Sequence, residues 1–171
     1  MTWSHRLRLH ELARGPATLE LEPDVDQRAD IAKRLDLAAL PALTARVTVR
    51  PWMDGAELSG RFDAVVSQIC GVSLEPFEQP LTGDFVVQVV PAGSPHAASS
   101  DGGELELDPD APDAPDVLEG DVIDVAGYVV EHLGLELDPF PRKPGATFEY
   151  AAPEVETSPF AALKKLADPK A

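Results

Sequence analysis

The sequence predicts an α+β fold: an antiparallel, strongly curved or barrel-like β-sheet of about six or seven strands, covered by two helices, with a small helix at the C-terminus. Three observations predict it. Consecutive runs alternate apolar and polar residues with the period of two that a half-buried strand requires, and short turn signals join them into a meander. Two windows instead repeat apolar residues every three to four positions, as a one-sided helix does. The 17 prolines in 171 residues are about twice the usual share, so much of the chain is left to turns, loops and tails.

The first run, over 3–9, sets Trp3, His5, Leu7 and Leu9 against Ser4, Arg6 and Arg8. Gly15-Pro16 turns the chain, and a second strand covers 17–21. Pro23-Asp24 opens a helix over about 24–38, where Val25, Ala29, Ile31, Ala32 and Leu35 recur at helical spacing. Pro41 interrupts the return to the sheet. A strand over 43–52 alternates Ala45, Val47 and Val49 with Thr44, Arg46, Thr48 and Arg50, and Asp54-Gly55 is a strong hairpin signal. Its partner runs over 58–70 with Phe62, Ala64 and Val66. After a break at Gly71 come a short run over 72–77 and a strand over 82–90, with Phe85, Val87 and Val89 on one side.

Residues 91–116 hold too little apolar surface to offset the entropy of ordering, and are expected to form a mobile acidic loop. Within it, Leu105, Glu106 and Leu107 could pair briefly with an edge. Asp121 is expected to cap a helix over 121–133 that Gly134 ends, with Asp124 and Glu131 on its outer side. Residues 1–150 thus read as one domain. Residues 151–171 read as a linker and a short amphipathic helix around Phe160, Leu163 and Leu166, which docks on its own domain or on a partner. The expected core is Leu7, Leu9, Ile31, Leu35, Val47, Val49, Phe62, Val66, Phe85, Val87, Val125, Val129 and Leu133.

Charge is distributed unevenly. The net charge is −16, and residues 62–141 hold seventeen Asp and Glu but no Lys or Arg. Such a block repels phosphate backbones, whose affinity for proteins comes mainly from displaced counterions, and attracts basic proteins. Acidity also serves solubility alone. Any RNA contact is expected from Arg6, Arg8, Arg46 and Arg50 or from the island Arg142-Lys143. DNA is not an expected partner. One cysteine, Cys70, allows no internal disulfide. With no apolar run long enough for a membrane span, the expected location is the cytoplasm.

The motifs of catalysis are missing. His5, His10, His96 and His132 do not pair at metal-ligand spacing, and there is no phosphate-binding glycine loop or nucleophile elbow. Cys70 ends an apolar run and reads as a structural cysteine. The chain is therefore expected not to be an enzyme, and to use neither metal nor cofactor.

Three stretches in order carry a resemblance: residues 68–77 with Cys70 and Glu75-Pro76-Phe77, residues 120–145 with Asp124, Glu131 and the turn from Asp138 to Pro144, and the tail over 158–166. The chain resembles the YceD-like family of bacterial large ribosomal RNA subunit accumulation proteins, in its alphaproteobacterial form, over about 60–166. The resemblance implies a non-enzymatic factor needed for large-subunit rRNA to accumulate or be processed. It nominates Cys70, Glu75, Phe77, Asp124, Glu131, Asp138, Arg142 and Lys143 as interaction residues. Many relatives carry a second cysteine near the proline turn, where this chain has Arg142-Lys143. Joined to the charge map, the resemblance implies a basic ribosomal protein as partner, with rRNA touched directly or indirectly. The alternative is an acidic adaptor or chaperone for a basic protein outside the ribosome.

Overall fold

A long three-stranded meander forms the centre of the molecule. The structure, a computed structural model, describes residues 3–97 and 114–148. The expected mobile loop lies mostly outside the described residues, and the expected linker and C-terminal helix lie wholly outside them. Among the described residues the chain runs through β1 (Arg6–Arg8), a 3-10 helix (Leu9–Arg14), β2 (Ala17–Leu21), α1 (Val25–Arg34), β3 (Ala39–Trp52), β4 (Gly55–Ile69), β5 (Pro76–Pro91), β6 (Asp116–Leu118), β7 (Val122–Asp124) and α2 (Val125–Leu135).

The strands form two sheets rather than one. Five stand in the order β2-β3-β4-β5-β6, and β1 pairs with β7 in a separate ribbon. All neighbours are antiparallel except β5 and β6, which are parallel. The expected closed or strongly curled antiparallel sheet is therefore corrected to an open mixed one. Strand lengths explain why. A barrel closes only when its edge strands pair along their length, and here edges of 5 and 3 residues flank central strands of 14, 15 and 16.

One face of the sheet is apolar because the period-two runs hold their phase. Val47, Val49, Leu58, Phe62 and Val66 are fully buried there, against Ile31 of α1, Ile123 of β7 and Val125, Val129 and Leu133 of α2. Each such side chain contributes roughly 1.5–3 kcal/mol by leaving water. Two aromatic rings fill the space that glycine leaves on the neighbouring strand. Phe85 faces Gly60, where a Cβ would meet its ring at 2.3 Å, and Phe62 faces Gly83, where a Cβ would meet its ring at 2.5 Å. Of the expected core, Leu9, Leu35 and Val87 are only half-buried, packed at its rim.

Several element boundaries differ from the sequence expectation for identifiable reasons. The first strand stops at Arg8, and the following 3-10 helix carries Leu12 into the core. The first helix ends at Arg34, after a capping box between Asp24 and Gln27, and Asp36 then takes a φ of 54°. The hairpin loop is Met53-Asp54, with Met53 at a φ of 52°, one residue earlier than Asp54-Gly55. Gly55 is needed for close approach instead, since a Cβ there would lie 1.9 Å from the Val89 carbonyl oxygen. Pro41 is accommodated at a register shift in β3. The expected break before residue 82 is absent, because Pro76 and Pro80 belong to a continuous β5.

The second helix starts four residues later than expected. Residues 122–124 are used as β7, with Arg6 opposite Asp124 and Leu7 opposite Ile123. Asp121 does not cap the helix; its backbone carbonyl accepts from Leu9 N at 2.9 Å. Asp124 occupies the N-cap position, yet its Oδ1 accepts from His5 N at 3.0 Å. Gly134 lies inside the helix, which runs to Leu135.

Candidate functional site at the Cys70 corner

Residues 70–75 must reverse the chain between β4 and β5, and two backbone hydrogen bonds close that turn. Cys70 N donates to Glu75 O and Leu74 N donates to Cys70 O, both at 2.9 Å. Leu74 adopts a φ of 58°, a left-handed conformation uncommon for a bulky residue. The turn folds over the Cys70 sulfur, which accepts the amide N–H of Val72 and Ser73 at 3.4 Å and of Lys143 at 3.3 Å.

These donors act on the thiol. Hydrogen bonding from Ser73, by side chain and then amide, and from the Lys143 amide holds its pKa at about 6 against burial, which raises it. The Val72 amide adds to the effect. The sulfur itself is fully covered.

The segment after α2 docks on the same corner. Gly71 N donates to Pro141 O at 2.9 Å, and Gln68 Nε2 donates to Asp138 O at 3.1 Å. Gln79 Nε2 in turn donates to Gln68 Oε1 at 2.7 Å, across the β4–β5 ladder. Lys143 Nζ lies 2.9 Å from Glu75 Oε2. That contact lowers the Glu75 pKa, by hydrogen bond and then by charge, and raises that of Lys143.

Four nominated residues, Cys70, Glu75, Asp138 and Lys143, thus converge from turns some seventy positions apart. Phe77 is buried beside them, opposite Gln68. Arg142 is exposed next to Lys143.

Asp124 and Glu131 do not join the corner. Asp124 holds the N-terminal segment through His5, and Glu131 is exposed on α2. Sequence reasoning missed the two most exposed apolar groups on the corner's turns, Leu74 at 75% and Phe140 at 79%. Phe140 lies between Pro139 and Pro141, beside the Arg142-Lys143 island whose charge is the stronger signal in the sequence. Nothing in the sequence marks the left-handed turn that turns Leu74 outward. With its polar groups bonded to one another, the corner is a rigid ledge presenting apolar side chains, an arrangement suited to recognition.

The arginines are spent differently. Arg46 pairs with Glu20, Arg50 with Glu57, and Arg61 approaches Asp84 at 4.0 Å. Glu57 is buried, and its pKa is lowered by the Gln88 side chain first and by Arg50 as well. A groove of about 690 Å³ crosses this outer sheet face, and the carboxylates lining it, Glu20, Glu22, Asp63 and Asp84, outnumber Arg46 and Arg61. Arg6 and Arg8 stand on β1, in the other sheet. Among the described residues no group of three or more His, Cys, Asp and Glu is placed to hold a metal ion, and no helix is long and apolar enough to cross a membrane.

A family model described as large ribosomal RNA subunit accumulation protein YceD matches residues 58–167, well over half of the chain. The chain belongs to this family. The YceD match takes in β4 from Leu58 onward, β5, the Cys70 corner and α2, and leaves out β1, β2, α1 and β3. No curated protein and no solved structure gives a significant match. Membership ties the chain to accumulation of large-subunit ribosomal RNA, and the YceD description names no reaction.

Proposed function

We propose that the protein promotes large-subunit rRNA accumulation by binding, without catalysis, and that it holds a basic ribosomal protein in the cytoplasm during subunit assembly. One observation carries this reading: residues 62–141 contain seventeen acidic side chains and no Lys or Arg. A surface of that kind concentrates cationic partners and speeds their capture. It disfavours naked RNA, because phosphate affinity needs cations that displace counterions. The pairing of Arg46, Arg50 and Arg61 with carboxylates supports the same preference. Leu74 and Phe140 supply apolar anchors at the ledge, the kind of residue on which interface energy concentrates.

The test is a tagged pull-down of the full chain from native cytoplasm at low and moderate salt, identifying protein and RNA together. Basic ribosomal proteins that are released as salt rises and persist after nuclease treatment are the expected result. Large-subunit rRNA retained by the purified protein alone overturns it, and shifts attention to Arg6, Arg8, Arg46, Arg50 and the island Arg142-Lys143. Basic proteins captured without any co-sedimentation with pre-ribosomal particles place the partner outside the ribosome.

A further inference from the structure

The sheet has one long edge that nothing covers among the described residues. β5 spans Pro76–Pro91, and β4 pairs with it along almost its whole length, from Pro76 to Val89. On its other side β6 pairs only with Val89, Val90 and Pro91. Pro76 to Gln88 therefore presents an open edge.

The prolines reveal how that edge is oriented. Proline has no N–H to give to a ladder, so within a sheet its nitrogen sits on the unpaired side. Pro76 and Pro80 thus assign the even-numbered residues of β5 to the side away from β4, since backbone groups alternate between the two sides of an antiparallel strand. Up to Pro80 the prolines blunt the edge, a known protection against chance pairing. Beyond it the protection ends. Thr82, Asp84 and Val86 each retain an outward N–H and C=O, Gln88 retains its outward N–H, and the Val86 side chain is 65% exposed.

A groove of about 450 Å³ lies along this stretch, between Val86, Val87 and Gln88 of β5 and Tyr128, Glu131 and His132 of α2. Its floor is firm, because the His132 ring stacks on Phe85 with centroids 4.4 Å apart, and Tyr128 Oη donates to Asp116 Oδ2 at 3.1 Å. The carboxylates lining it are those of Asp116 and Glu131, and the Glu136 side chain lies over Gly83 on the same strand. Arg61 lies 4.0 Å from Asp84 on the outer face, and Arg34, in the last turn of α1, lines a neighbouring pocket together with Asp116 and Glu131.

We infer that the open edge of β5 from Thr82 to Gln88 is a strand-addition site, and that its occupant is an extended basic segment of a partner protein. Main-chain hydrogen bonds supply affinity in such a mode, and flanking side chains supply selectivity. Charge decides the occupant. The segment of the same chain that follows β5, residues 98–113, carries six Asp and Glu and no Lys or Arg, so it would add like charge to an acidic rim. A Lys- or Arg-bearing strand places cations against Asp116 and Glu131 instead. The inference rests on the proposed basic partner and says where that partner is gripped.

The experiment uses the full-length protein and a short fluorescent peptide of alternating lysine and valine, with a glutamate–valine peptide as control. Binding is expected for the basic peptide alone. In amide hydrogen exchange the peptide should protect Thr82, Asp84, Val86 and Gln88, while Gly83, Phe85 and Val87, whose amides face β4, stay unchanged. Val86→Pro removes an outward donor without breaking the β4 ladder, and should weaken binding about tenfold or more. Should that variant fold poorly, the alternating protection in the wild-type protein still decides. Peptide binding with protection elsewhere, or unweakened by Val86→Pro in a folded protein, overturns the edge and leaves the basic-partner reading intact. Absence of peptide binding, while the pull-down still captures basic proteins, overturns the edge alone. Absence of both overturns the reading beneath it.

Discussion

On the outer face of β2, β3 and β4 each arginine meets a carboxylate: Arg46 with Glu20, Arg50 with Glu57, Arg61 with Asp84. Farther along the sheet, on β6 and on and just after α2, Asp116, Glu131 and Glu136 stand in a stretch of sequence that contains no Lys or Arg. The two regions do not differ because one lacks acid. They differ because one has its acid taken up in ion pairs across the sheet, whereas no salt bridge among the described residues takes up Asp116, Glu131 or Glu136. A net charge of −16 therefore says less about this protein than the place where its cations stop.

The predictions strain that contrast in decreasing order of effect. Phe62 is fully buried beneath both regions and its ring covers Gly83, so Phe62→Ala should cost roughly 3–5 kcal/mol. Urea unfolding would measure it, and a cost near zero would deny the two regions a common support. On the matched side, Arg50→Ala leaves the buried Glu57 carboxylate with Gln88 as its remaining side-chain partner, and should cost about 1–3 kcal/mol. Because the Glu57 pKa is lowered on folding, the contribution of that site is present above the ordinary glutamate range and fades as pH falls below it. An acid titration of stability, run beside the variant, checks the sign.

Cys70 offers a test that belongs to neither surface. Its folded pKa of about 6 lies below the ordinary 9.0, so between those values the unfolded chain holds the extra proton. Its contribution is full above pH 9, declines on the way down and is lost below pH 6. Wild type should therefore gain stability over Cys70→Ser as pH rises through that window, and parallel curves would refute it. Cys70→Ala should also speed amide exchange at Val72, Ser73 and Lys143 by roughly 2–10-fold.

The smallest effects separate the two regions most cleanly. Arg46→Ala removes an exposed pair and should cost about 0.2–1 kcal/mol, less at high salt. Glu131→Gln on the unmatched side should leave stability within about 0.5 kcal/mol while weakening capture of basic proteins at low salt. Loss of stability without loss of capture would mean that Glu131 serves the fold.

Much of this architecture could be read in advance, and the errors have physical causes. The β3–β4 pairing was legible because Val47, Val49, Phe62 and Val66 keep phase over long runs, and a one-residue slip would turn them all to water. The helix at Val25–Arg34 was legible from Asp24 and its apolar spacing. Asp116–Leu118 was hidden by the prolines and aspartates before it, since a three-residue strand has no period of its own to detect. Val122 and Ile123 fit a helix as well as a strand, and pairing with Arg8 and Leu7 decided between them. Cys70 and Lys143 were nominated separately, yet no local signal could announce that the Lys143 amide would reach the sulfur across 73 positions.

By itself the sequence determined the α+β class, the buried face of the central strands and the location of the acidic excess. Each depends on residue type and short-range spacing, which folding preserves. Tertiary structure alone decided that the sheet stays open, that Cys70, Glu75 and Lys143 share one corner, and that β5 has an edge unpaired among the described residues beside an acidic rim. Those outcomes depend on which distant segments pair, and that choice is made by the packing and hydrogen bonding of the whole chain.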